Sequence, residues 1–153
     1  MADYVVTVEA TSNTSANTQD EFIEITGAAS TGFFLKRIRV SCATPGIDAV
    51  ITATVVKLSS NGASGTTGTI NKVRPTAPAA TSAAKVKNGT AAFTLGSVSA
   101  TLDQIDVNTR AIWEWVPAEE RDFYDSGSAG ILALLIKCSM ASVVIDATFE
   151  FEE

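Results

Sequence analysis

The chain contains no histidine, and only two cysteines and four prolines among its 153 residues. Without histidine, nucleophilic triads that rely on an imidazole base are excluded, as are zinc sites that need histidine ligands. Cys42 and Cys138 lie far apart in the chain and form no C-x-x-C pair, so that redox or metal pattern is missing too. They read as two small buried hydrophobes, with a disulfide between neighbouring strands as the alternative. Charge is sparse, 18% of residues against 46% hydrophobic, which excludes an intrinsically disordered chain. Eleven basic residues face seventeen acidic ones, a net charge of −6. Such a chain lacks the clustered cations that hold phosphate backbones, and no nucleic-acid partner is expected.

Long apolar runs are also lacking. The longest, Ile131 to Ile136, is far shorter than the roughly 20 residues a membrane-crossing helix needs, so no membrane partner is expected. The Met-Ala-Asp-Tyr start has neither a charged nor an apolar leader region, which predicts synthesis in the cytoplasm without a secretion signal. For that reason the glycosylation patterns at Asn13 and Asn88 carry little weight. Phosphate-binding glycine loops of the G-x-x-x-x-G-K-[ST] and G-x-G-x-x-G kinds are absent. No catalytic, cofactor or metal site is predicted.

What is present is the two-residue period of strands. Val143, Ile145, Ala147, Phe149 and Phe151 alternate with Val144, Asp146, Thr148, Glu150 and Glu152. Ile38, Val40 and Cys42 alternate with Arg37, Arg39 and Ser41 in the same way, and Ile51, Ala53 and Val55 with threonines. Tyr4, Val6 and Val8 mark a strand near the start, Phe22 to Ile25 a short second one, and Ile112 to Val116 one that Pro117 stops. Ile131 to Ile136, apolar on both faces, suits a central strand. Turn residues at Ser30 to Gly32, Thr44 to Gly46, Asn61-Gly62 and Ser126 to Ser128 separate these runs. About eight short strands without a helical stripe predict one all-β domain over 1–153, an antiparallel sandwich and most specifically a jelly roll.

The middle interrupts the pattern. Between residues 59 and 100, Gly, Ser, Thr and Ala supply 27 of 42 residues, which predicts an inserted low-complexity arm or loop with one or two short strands. This segment carries Lys72, Arg74, Lys85 and Lys87 and no acid, while the remainder has seven basic and seventeen acidic residues. Two readings stand: a solvated flexible loop, or an arm, from Gly62 to Lys87, that drapes over an acidic neighbour.

Two further groups could bear chemistry. Glu119, Glu120, Asp122 and Asp125 cluster around Arg121 in what reads as a solvated acidic loop; a calcium site or a two-carboxylate glycosidase are the alternatives. Trp113 and Trp115, two apart, share one face of a strand and read as core or interface packing. The alternative is a carbohydrate-binding module or host-surface adhesin whose stacking platform is Trp113, Trp115 and Tyr124.

Taken together, Phe34 to Cys42, the Thr-Pro-Gly turn, Asp48 to Lys57, the small-residue middle, Gly130 to Ile136 and the acidic closing strand Ser142 to Glu153 form a recognisable layout. This layout resembles the jelly-roll head decoration, or cement, proteins of tailed bacteriophages. The resemblance implies a non-enzymatic virion protein on the outer capsid surface, a homotrimer that binds the major capsid protein and stabilises the shell. It also implies that Lys72, Arg74, Lys85 and Lys87 on the arm, with Phe33, Phe34, Trp113 and Trp115, contact partners.

Overall fold

The computed structural model describes residues 1–44, 46–88, 93–116, 124–125 and 129–153; of Ala10, Tyr124 and Asp125 only the backbone is described. Two antiparallel sheets pack face to face as a β-sandwich. Eight strands build its body: β1 (Asp3–Ser12), β2 (Gln19–Thr26), β3 (Phe34–Cys42), β4 (Val50–Leu58), β8 (Val98–Asn108), β9 (Trp113–Trp115), β11 (Ile131–Cys138) and β12 (Val144–Glu152). Three short strands, β5 (Thr66–Thr67), β6 (Asn71–Lys72) and β7 (Ala83–Val86), lie in the insertion between β4 and β8, and β10 (Tyr124–Asp125) pairs with the start of β3.

The first sheet runs β1-β12-β3-β9 and the second β2-β11-β4-β8, every neighbour antiparallel. Along the chain, the body strands change sheet at each step except from β4 to β8. That interleaving is the strand order of a jelly roll, as the turn-separated alternating runs predicted.

The alternation dictates which side chains fill the space between the sheets. Ile145, Ala147, Phe149 and Phe151 of β12 are buried there with Tyr4, Val6, Val8, Ile38 and Val40 from its neighbours. Phe33 joins them, its ring edge-on to Phe151 at 5.4 Å, and Tyr4 stacks on the same ring at 5.6 Å. From the second sheet come Ile23, Ile25, Ile51, Ala53, Val55, Leu132, Leu134 and Ile136. The opposite face of the first sheet carries the alternating polar set. There Arg37 pairs with Glu150 at 2.6 Å, and Lys36 with Asp3 at 2.7 Å.

Cys42 and Cys138 close the same core from opposite sheets as free thiols, so the disulfide alternative is not realised. Burial pushes the Cys138 thiol above its ordinary range. Asn13 is also buried; its side chain donates to the Ser15 and Met140 carbonyls and accepts from the Val143 amide, joining two loops. Residues 2 and 153 exchange two backbone hydrogen bonds, of 2.7 and 3.1 Å, extending the β1–β12 ladder.

Candidate functional site: a wrapped edge, an open edge and a buried carboxyl pair

The insertion does not stand away from the body. It leaves the β4–β8 side, crosses the outer face of the second sheet, and lines the far edge of the sandwich. There β7 pairs with β2, β5 with β7, and β6 with β1. The glycine- and alanine-rich composition permits this close approach. A Cβ on Gly96 would run into the Ser60 carbonyl, and one on Gly62 would lie 2.5 Å from the Glu21 carboxyl and 2.6 Å from the Thr94 carbonyl.

The charge contrast read from the sequence is used within the chain. Lys87 is fully buried, its ammonium 3.5 Å from Asp20, 3.0 Å from the Thr14 hydroxyl and 5.9 Å above the Phe22 ring. Lys85 donates to the Gly62 carbonyl at 2.7 Å and lies 3.7 Å from Glu24. Glu153 accepts from the Thr81 and Ser82 amides at 2.7 Å each, and the Tyr4 hydroxyl donates to the Pro78 carbonyl. Of the four cations expected on a partner-seeking arm, Lys72 and Arg74 are exposed, Lys85 is half-buried and Lys87 is withdrawn inside.

The aromatic candidates divide similarly. Phe33 belongs to the core and Phe34 is half-buried. Trp113 and Trp115 sit opposite Val40 and Ile38 of β3 and so face inward, Trp113 only 6% exposed and Trp115 half-buried. Glu114, between them, faces outward and pairs with Arg37 and Arg39. A side chain as enclosed as Trp113 offers no face for a sugar ring to stack on. Residues 117–123, with Glu119, Glu120 and Asp122, lie outside the described residues, as do the side chains of Tyr124 and Asp125.

At the edge away from the insertion, β8 pairs with β4 on one side and, among the described residues, with nothing on the other. Register shifts opposite Val55/Val56 and Lys57/Leu58 interrupt its first half and leave Asp103–Asn108 regular. Ile105 on this stretch is exposed, as are Val98, Ile112 and Val116 nearby in the chain. Asp103 and Asp106 make the stretch acidic.

A third feature was hidden from sequence reasoning. The β2–β11 register slips at Phe22, since Leu134 lies opposite Ile23 whereas Leu135 lies opposite Glu21. This bulge turns both Phe22 and Ile23 inward, and brings Glu21 and Glu24, three residues apart, onto one face. Both are 1% exposed beneath the crossing insertion. Glu24 is well satisfied: it accepts from the Gly62 amide at 2.6 Å and the Asn61 side chain at 3.1 Å. Neither oxygen of Glu21 has a partner in hydrogen-bond geometry among the described residues. Burial first, then the charge of Glu24 beside it, pushes the Glu21 carboxyl up to about 8. Beside the pair on the same outer face, Val56, Leu58, Ile131, Ala133 and Leu135 form a second small apolar cluster.

Among the described residues no group of three or more Cys, Asp or Glu side chains is placed to hold a metal ion, and no helix is long and apolar enough to cross a membrane. Comparison of the chain with known protein families, with curated proteins and with solved structures finds no match.

Proposed function

We propose that this protein is a non-enzymatic structural component of a phage virion, a decoration protein that binds the outer capsid surface and stabilises it. The observation that carries the reading is the asymmetry of the sandwich: the chain wraps one edge with its own insertion and, among the described residues, leaves the outer side of β8 at the other edge without a partner strand. Unpaired strand edges are templates for another chain, and small domains usually blunt them. Here two bulges and two acids limit the usable part to Asp103–Asn108, roughly 20 Å of strand. The acids disfavour pairing with the same strand of another copy and favour a segment bearing basic side chains.

The exposed Lys72 and Arg74 at the wrapped edge supply such charge on the protein itself. Contact between unlike edges of successive copies is heterologous, and closes into a ring when the rotation allows, which accommodates the homotrimer. The major capsid protein is the second partner in this reading, and the virion surface the location.

The test is retention on assembled head shells, with the oligomeric state measured by light scattering after size exclusion. A mass near three times 15.9 kDa and co-sedimentation with shells are expected, and Ile105→Lys should abolish co-sedimentation without unfolding the protein. A monomer that shells do not retain overturns the reading.

A further inference from the structure

The insertion crosses the second sheet as a strap of two limbs, residues 59–65 and 93–97, tied by Ala63–Thr94 and Ser59–Ser97 backbone hydrogen bonds. Neither limb contains a charged residue, yet the strap lies on two carboxyl groups. Among the described residues the cation beside them is Lys85 on β7, and it is already engaged by Glu24 and the Gly62 carbonyl. Residues opposite the pair on β11, Leu135 and Ala133, do not titrate. A metal ion would have to displace the Lys85 ammonium and the Gly62 amide from Glu24. What Glu21 lacks is smaller than a metal: a proton.

We propose that Glu21 is held protonated beneath the strap, and that the strap is a latch which loss of this proton releases. The physical reason is additive. A buried carboxylate loses its hydration, and here it would also face the ionised Glu24 across the same dry site. Both effects favour the neutral acid, in line with a carboxyl pushed up to about 8. The unfolded chain releases the same proton near its ordinary value of 4.5, so between these two values the folded protein holds more protons than the unfolded one. Stability therefore falls as pH rises through that window, and levels off above it.

The strap is the part that can yield without dismantling the sheets. Its hold on β2 is the pair of donors from Asn61 and Gly62 to Glu24, with a further Asn61 bond to the Thr26 hydroxyl. Lifting it hydrates Glu21 and bares apolar side chains of the outer-face cluster, so the alkaline form presents a surface that the neutral form conceals.

The experiment combines infrared spectroscopy with hydrogen exchange on the full chain. At pH 7 the wild-type protein should show the carbonyl band of a buried protonated carboxyl, missing from the Glu21→Gln variant and lost from the wild type by pH 9. Amide protection of 59–65 and 93–97, corrected for intrinsic exchange, should fall about a hundredfold between pH 6 and pH 9 in the wild type and stay level in Glu21→Gln. Absence of the band at pH 7, unchanged protection in the wild type, or an equal loss in the variant each overturns the proposal. The wild-type band and exchange decide the matter even if the variant fails to fold.

Discussion

The two edges of this sandwich solve the same problem in opposite ways. At the β1/β2 edge the chain returns on itself, adds three short strands, and ties them down with Lys87–Asp20, Glu153 on Thr81 and Ser82, and Tyr4 on Pro78. At the β8/β9 edge it adds only the two-residue β10 beside β3, and at β8 itself, among the described residues, it relies on bulges and two aspartates. The difference shows that low side-chain bulk does not mark a segment as loose. The insertion is held by specific polar contacts to the body, whereas β8, a full strand in its own sheet, is the element left available.

The contrast can be broken most severely at Lys87. Substitution by Met leaves Asp20 buried without its counter-charge, an error that costs about 3–5 kcal/mol in comparable sites. Thermal unfolding should drop by roughly 10 °C for a chain of this size, and the double variant with Asp20→Asn should recover much of the loss. Next in size is Gly96→Ala, whose methyl group meets the Ser60 backbone; about 1–3 kcal/mol should be lost in urea unfolding, with exchange rising first in 59–65. Glu153→Ala should cost about 1 kcal/mol, read as faster exchange of the Thr81 and Ser82 amides with the sheets unaffected. On stability the smallest effect belongs to the open edge. Ile105→Lys should stay within about 0.5 kcal/mol of the parent in the same unfolding measurement, although it is the variant expected to lose shell binding.

The body of the fold was readable because its strands obey one rule, apolar residues inward and polar residues outward, at a period of two. β12 follows it throughout and β3 follows it apart from a bulge at Lys36, and several such runs separated by turns suffice for a sandwich. β8 was harder to see. As an edge strand it buries neither face well, so Asp103, Gln104, Ile105 and Asp106 lack the contrast that marks a half-buried strand. β2 was recognised only as the stretch Phe22 to Ile25, because its bulge places two apolar residues in succession.

That same bulge hid the carboxyl pair. In a regular strand Glu21 and Glu24 would fall on opposite faces, and acids on a strand are normally solvated. Their burial is imposed by residues 62 and 93–96, some forty to seventy-five positions away, which no local pattern records. The sequence did carry the charge imbalance between the insertion and the body, but not its direction. Whether Lys85 and Lys87 reach outward to a neighbour or inward to Glu24 and Asp20 depends on where the insertion lies.

The pairing of residues 2 and 153 has a consequence for engineering. Because their backbones already touch, a short linker could bridge them with little entropic penalty when residues 1–153 are produced alone, and new ends could be opened elsewhere. A circularly permuted protein of this kind would keep both ladders of β12, to β1 and to β3. Any tag or cargo joined at either of these residues would leave from β1 or β12, with β3 standing between it and β9. Under the proposed function, a cargo attached there would stand away from the open edge of the sandwich.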